Sequence, residues 1–370
     1  MKKFVKPVII SLCAVTATAC LAAGCSDTAD GGTNGSGKVV SYISEQSEVY
    51  STTAEVVEAV ADTVVEIRTE TVKTQWGMQY IVSGAGSGVI IGKEDNAYYI
   101  ITNNHVISGA KDITVTTRSG VPYEAELVAA DDSADIAVVK VGSQTQLSVA
   151  VWGDSDQLKI GEDLIAIGNP LGSLGGTVTK GILSATGRSI TVGDYSMTLL
   201  QTDTAINPGN SGGGLFNMRG QLIGVVNAKT SDEEIEGICF AIPGNHARAV
   251  YGDLVEHGYI VGRATFNLAL AEGSISTGGI NAQSQSIVYI TDAASSAEGT
   301  FRQYDRINKI NGKQISTILD YNNALAEISA GDEVEVEVYR GSLVQGYFGN
   351  SISFETTVTS FKVTATQYGA

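Results

Sequence analysis

Ser211 lies in the stretch 201–214, QTDTAINPGNSGGG, flanked by Gly209 and by Gly212, Gly213 and Gly214. A serine so placed is a candidate nucleophile. Gly209 can bring its backbone N–H close to a reacting carbonyl because it carries no side chain, and the N–H of Ser211 can converge on the same point. Gly209, Asn210 and Ser211 together make the candidate oxyanion hole. Pro208 fixes the entry to the turn, and the three following glycines allow close backbone approach on its far side. Glycine-rich turns holding a serine are common, so catalysis also requires a base and an orienting acid elsewhere in the chain.

Three histidines limit the search for the base. His105, in TNNHVISGA, follows the apolar stretch YYIIT where a strand gives way to a loop, a rigid place to hold a reactive side chain. His246 and His257 fall in a later helical segment among charged residues, where an imidazole is ordinarily solvated or capping. Asp135, in DDSADIAVVKV, leads into a continuous apolar run, and a carboxylate at the mouth of a buried strand needs a partner such as an imidazole N–H. A strand-start turn residue is an equal reading of Asp135 alone. Asp131 and Asp132 precede it and read as solvent-facing or turn-forming. The order His105, Asp135, Ser211 matches the His, Asp, Ser order of chymotrypsin-fold proteases. Gly209-Asn210-Ser211-Gly212-Gly213 also fits the G-x-S-x-G elbow of α/β-hydrolases, for which Asp232 or Asp253 with His257 could be counted. That elbow requires a helix after the serine, however, and three glycines followed by LFNMRGQLIGVV read as turn and strand.

These residues must be positioned by a chain of 370 residues with a formal charge of −17 and 43% hydrophobic content. So acidic a balance argues against nucleic acid as a partner, because phosphate binding needs clustered Lys and Arg. Residues 1–24 read as a secretory signal: Lys2, Lys3 and Lys6, an apolar run from Val8 to Val15 too short for a good membrane span, then small residues. Leu21-Ala22-Ala23-Gly24-Cys25 resembles a bacterial lipobox, in which the thiol of Cys25 is acylated and becomes the mature N-terminus. A plain cleavage after Ala17-Thr18-Ala19 is the alternative. Acyl chains, at about 0.8 kcal/mol per buried methylene, would hold the protein on the extracytoplasmic face of the cell membrane. Residues 25–52, rich in Gly, Ser, Thr and Asp, read as a flexible tether. Beyond the signal only Cys239 remains besides Cys25, whose thiol is expected to be acylated, so no intrachain disulfide is expected.

Thr52-x-x-Glu55 predicts a capped helix running to about Ala61. Short β-patterned runs at close spacing follow: VVEIRTETV, GSGVIIG, YYIIT, DITVTT, LVAA, IAVVKV and EDLIAIG, then KGILSATG, SITVG, MTLLQT, QLIGVVNAK and GICFAIP. Their number and spacing predict a mainly β fold with two antiparallel barrels, closed by a helix over Asn245–Glu256 that stops at Gly258. After Gly262 the pattern restarts. SIVYITD, DRINKINGK, a helical patch at about 317–329 and EVEVEVYR predict a further α+β domain of about a hundred residues.

The stretches TNNHVI, SADIAVVKV, TDTAINPGNSGGGLFN, LIGVVNAK and GICFAIP resemble the HtrA/Deg family of serine proteases from about residue 53 to 258. The resemblance implies a trypsin-like serine protease domain of two six-stranded antiparallel β-barrels over 53–258 and a PDZ-like domain over 262–365. It implies a homotrimer acting on unfolded or damaged extracytoplasmic proteins, with His105, Asp135 and Ser211 as triad and neither metal nor cofactor. Ala205, six residues before Ser211, would line the base of the primary specificity pocket. Without a carboxylate there, small or medium apolar substrate side chains are expected. Asn210 cannot form the ion pair that activates chymotrypsin-like zymogens, so switching is expected from loop order, with 170–177 and 229–237 as the loops concerned. In the PDZ-like segment, Ala264-Thr265-Phe266-Asn267-Leu268 lacks the glycine that precedes the hydrophobic strand in the family's carboxylate-binding loop. The alternative function is a catalytically silent PDZ-containing binding or chaperone-like protein.

Overall fold

Thr52 and Glu55 form the capping box their spacing predicts: Glu55 N donates to Thr52 Oγ1 (3.3 Å) and Thr52 N to Glu55 Oε2 (3.0 Å), opening α1 (Thr53–Val60). The computed structural model describes residues 49–368 apart from 76–77, 170–175, 208, 229–236, 278–282, 294–299 and 347–348. The expected signal 1–24, Cys25, the tether up to residue 48, Pro208, Asp232 and most of the loops 170–177 and 229–237 lie outside the described residues.

The first β series gives β1 (Val64–Gln75), β2 (Met78–Glu94), β3 (Ala97–Thr102), α2 (Asn104–Ile107), β4 (Asp112–Thr116), β5 (Pro122–Glu124), β6 (Glu126–Asp131) and β7 (Ile136–Gly142). Their order is β5-β4-β1-β2-β3-β7-β6, seven strands rather than six. The extra strand comes from a bend. β5 and β6 are separated only by Ala125, whose N–H turns aside to Ile113 O (2.9 Å), so one chain segment pairs with β4 at one end and β7 at the other. Counted once, it closes a six-membered ring.

The second series gives β8 (Val151–Trp152), β9 (Asp163–Gly168), β10 (Thr177–Val192), β11 (Tyr195–Thr202), β12 (Gly214–Asn217), β13 (Gln221–Asn227) and β14 (Cys239–Pro243). Here β9-β10-β11-β14-β13-β12 closes on itself through β12 to β9, and short β8 adds to β13 in parallel. Closure removes the exposed edges that an open sheet would present.

Alternation along β3 explains why YYIIT is apolar throughout. Tyr98 and Ile100 face the interior of the first barrel with Ile67 and Val139, whereas Tyr99 and Ile101 face a second core with Trp152, Phe216 and Leu254. That second core joins the barrels to α3 (Gly244–His257), which buries Ala247, Val250, Tyr251 and Leu254 and ends at Gly258 in the left-handed region, φ +82°.

The remaining strands are β15 (Ala264–Thr265), β16 (Ala269–Thr277), β17 (Gln283–Asp292), β18 (Arg306–Ile310) and β19 (Lys313–Gln314). They are completed by α4 (Ile318–Leu325), β20 (Glu333–Gly346), β21 (Gly349–Thr364) and β22 (Thr366–Gln367). Asn311 and Gly312 both have positive φ (+47° and +78°), the tight turn the Asn-Gly pair encodes between β18 and β19. Val334, Val336 and Val338 of EVEVEV are fully buried in a core with Phe266, Phe301 and Tyr321 that shares no residue with the barrel cores. The helical patch expected over 317–329 stops early, as the chain tightens into an Ile328 N to Leu325 O turn (3.0 Å).

Candidate active site

His105 is carried on the single turn α2, directly after β3, and Asp135 occupies the turn between β6 and β7. Asp135 has φ +48°, a conformation unusual for a residue with a side chain, and many hydrogen bonds hold it there. Its backbone carbonyl accepts from Asn103 Nδ2 (3.0 Å) and Asn104 N (3.2 Å). Its Oδ1 accepts from His105 N (2.9 Å), and its Oδ2 lies 2.7 Å from His105 Nδ1 and 2.9 Å from Asn227 Nδ2. A carboxylate can only accept from the ring, so Nδ1 carries the proton and Nε2 is left as a base.

Ser211 Oγ lies 3.1 Å from that Nε2 and accepts from Ala228 N (3.3 Å). With one lone pair already engaged by Ala228, the hydroxyl proton is directed to His105. The three side chains, 30 and 76 positions apart in the sequence, thus form one hydrogen-bonded line.

Around Ser211 the backbone turns sharply, with Gly209 at φ +99° and Gly212 at φ +82°. A Cβ on Gly212 would fall 2.2 Å from Ser87 O, which requires glycine there. Among the described residues, the N–H groups of Gly209 and Ser211 have no hydrogen-bond acceptor. The Asn210 N–H donates instead to Asn207 O (3.0 Å), which takes it out of the expected oxyanion set. The Asn210 side chain is buried against Gly168, where an added Cβ would meet its Oδ1 at 2.5 Å. Ala205 is exposed, and its carbonyl accepts from Thr179 Oγ1 (2.8 Å).

Of the two readings of Asp131, turn-forming holds and solvent-facing does not. It is 3% exposed rather than solvent-facing, accepts from Ala134 N (2.7 Å) and Ser133 Oγ (3.0 Å), and pairs with Arg263 just before β15. The pair explains the burial: Arg263 reaches it from 132 positions away, which no local pattern reveals. His246 and His257 lie on α3, and neither bonds to Ser211 or Asp135. Ser211 is followed by strand β12, not by the helix that a hydrolase elbow needs. Sequence reading missed Asn227, at the end of β13, and Ser87, which it took only as part of the apolar run GSGVIIG. A polar residue within or ending an otherwise apolar strand is the legible signal at both, since Ser87 and Asn227 are each fully buried.

Residues 86–225 match the family model of the trypsin-like peptidase domain, and residues 277–346 that of the PDZ domain. Serine protease Do-like HtrA of Bacillus subtilis (strain 168) is 38% identical over 274 residues, covering 70% of this chain and 61% of that protein. Its namesake in Lactococcus lactis subsp. cremoris (strain MG1363) is 36% identical over 285 residues, covering 70% and 68%. The solved serine endoprotease from Yersinia pestis aligns with a TM-score of 0.53 at 30% identity over 86% of this chain and 99% of that one. The HtrA-type protease AlgW, solved with a decapeptide, aligns with a TM-score of 0.53 at 26% identity over 86% and 99%. The fold is thus that of a trypsin-like peptidase joined to a PDZ domain. The chain belongs to the HtrA family of serine proteases, and it spans 61% and 59% of the length of two Bacillus subtilis relatives.

Proposed function

We propose that this protein is a serine endopeptidase, with a protease domain over 53–258 and a PDZ-like domain over 262–365. The observation that carries the reading is the line from Asp135 Oδ2 through His105 to Ser211 Oγ, with contacts of 2.7 and 3.1 Å. In the proposed reaction His105 Nε2 takes the proton of Ser211 as Oγ attacks the scissile carbonyl. Asp135 stabilises the imidazolium, and the N–H groups of Gly209 and Ser211 receive the oxyanion. The tetrahedral adduct collapses as His105 returns the proton to the leaving amine, and water, activated by the same imidazole, releases the acyl group from Ser211.

The substrate class proposed is unfolded or damaged extracytoplasmic protein, with small or medium apolar residues before the scissile bond because Ala205 offers no countercharge. The name of one relative, periplasmic serine endoprotease DegP of Escherichia coli (strain K12), supports an extracytoplasmic location. Acylation of Cys25 and a homotrimer belong to the same proposal. Among the described residues no helix is long and apolar enough to cross a membrane.

The test is labelling with a fluorophosphonate probe, mapping of the modified residue, and casein cleavage by wild type and Ser211→Ala. Labelling at Ser211, with cleavage lost by about 10⁴-fold or more in the variant, supports the enzyme. Absence of labelling together with no casein cleavage by wild type would favour the silent binding protein, and an unchanged cleavage rate in Ser211→Ala would remove Ser211 from the mechanism.

A further inference from the structure

The nucleophile turn contains three successive peptide units, and each is planar, so holding an oxygen and a hydrogen of one unit fixes the whole of it. In the unit joining Gly209 to Asn210, the carbonyl accepts from Ser87 Oγ (2.6 Å) and the N–H donates to Asn207 O (3.0 Å). In the unit joining Ser211 to Gly212, the carbonyl accepts from Ser87 N (2.8 Å) and the N–H donates to Val226 O (3.0 Å). The middle unit is held at one end only: Asn210 O accepts from Gly213 N (2.9 Å), while the Ser211 N–H has no acceptor among the described residues.

Ser87 therefore holds the turn on both sides of the Ser211 N–H, once with its hydroxyl and once with its main chain. Its own position is fixed from two directions. Asn169 N donates to Ser87 Oγ (2.8 Å), and Thr102 Oγ1 donates to Ser87 O (2.7 Å). Ser87 has no exposed surface, so no water competes for these bonds. With Asn169 donating to it, the hydroxyl has its single proton for Gly209 O, and a chain of bonds runs from the end of β9 through Ser87 to the turn.

We infer that Ser87 is a positioning residue for the oxyanion hole: its hydroxyl fixes the Gly209–Asn210 peptide and so sets the direction of the adjoining Gly209 and Ser211 N–H groups. A serine is required because the site needs a donor to Gly209 O and an acceptor for Asn169 N–H from one small side chain. Alanine supplies neither. Without the hydroxyl, the Gly209–Asn210 unit can rotate, and the two donors no longer converge where charge develops on the substrate oxygen.

The inference rests on the serine endopeptidase reading, and the experiment separates the two. Wild type, Ser87→Ala, Ser87→Cys and Thr63→Val are titrated for active sites with a fluorophosphonate and assayed on a peptide substrate and on the matching peptide aldehyde. The hemiacetal formed by the aldehyde needs the oxyanion donors. Thr63 is a control, another buried hydroxyl that donates to a carbonyl, Val60 O at 2.6 Å, away from the turn. Expected for Ser87→Ala is a fall in kcat per titrated site of about 10- to 100-fold. KM should stay within about twofold, and aldehyde affinity should be lost by the same factor as kcat/KM. Ser87→Cys, a weaker donor, should fall between, and Thr63→Val should keep kcat per site. A Ser87→Ala protein with wild-type kcat per site overturns the inference, as does a loss matched by Thr63→Val. If the alanine variant does not fold, wild-type kcat per site in Ser87→Cys overturns it. A wild type that no probe labels overturns instead the endopeptidase reading beneath it.

Discussion

Asp135 holds His105 at two points, its Oδ1 taking the backbone N–H at 2.9 Å and its Oδ2 lying 2.7 Å from the ring Nδ1. One carboxylate thus fixes both where the histidine sits and which way its ring faces. Asp135→Asn keeps the size but puts an N–H where an acceptor is needed, so the wrong tautomer is favoured and kcat should fall by about 10⁴-fold. Asn227→Ala removes the 2.9 Å donor to Oδ2 and should lower kcat by about tenfold, roughly the worth of one hydrogen bond to a charged group. Steady-state rates on one peptide substrate rank the two variants, and an Asn227→Ala loss as large as that of Asp135→Asn would contradict this division of labour.

Gly212 in the turn around Ser211 leaves no room for a side chain. Its φ of +82° disfavours any side chain, and a Cβ would lie 2.2 Å from Ser87 O and 2.3 Å from Thr102 Oγ1. Gly212→Ala should cost at least about 2 kcal/mol of stability and abolish fluorophosphonate labelling. A thermal melt at the wild-type midpoint would refute the strain argument.

The ion pair between Arg263 and Asp131 links the start of the PDZ-like segment to the turn that ends in Asp135. The Asp131 side chain is 2% exposed and that of Arg263 is 26% exposed. Arg263→Ala should destabilise by about 2 kcal/mol, less than the roughly 3–5 kcal/mol of a fully buried pair because the arginine is partly solvated. Asp131→Asn combined with Arg263→Ala should recover part of that loss, since no buried charge is then left alone. Urea midpoints of the two variants decide it.

Asp154 is held below the usual carboxylate range, first by Asn245 Nδ2 (2.7 Å) and then by Asp156 N (3.0 Å). A carboxylate depressed in the folded state adds stability above its unfolded pKa of about 3.9, and that stability is lost as pH falls through the lower folded value. Asp154→Asn should therefore flatten the loss of stability below about pH 4 and leave a smaller, pH-independent deficit above it. Denaturation midpoints from pH 2 to 7 test the sign, and an acid limb unchanged by the variant would exclude Asp154 as a contributor.

Ala205→Asp would place a carboxylate at the proposed base of the specificity pocket. Cleavage after Lys or Arg should then gain at least about tenfold in kcat/KM relative to cleavage after Val, because a buried cation would have a partner. A peptide-library profile identical to wild type would move the pocket away from Ala205.

Local pattern went far in this chain because the residues of the proposed triad sit where pattern is strongest. Ser211 is marked by its glycines, His105 by the strand before it and Asp135 by the strand after it. The capping box at Thr52, the Asn311-Gly312 turn and the alternating valines of EVEVEV are likewise read from neighbours within a few positions. Asn210, by contrast, was grouped with the oxyanion donors on adjacency alone, and its N–H turns to Asn207.

What the amino-acid order determined by itself was the set of elements and the candidates for the proposed triad, since periodicity, caps and glycine freedom act over a few residues. Only the closed barrels decided which distant groups support them: Ser87 beneath the nucleophile turn, Asn227 on Asp135, and Arg263 on Asp131. The bend at Ala125 that closes the first barrel belongs to the same class. Such contacts join residues across 92 and 132 positions, and a hydrogen bond between them exists only once ring closure brings the strands together.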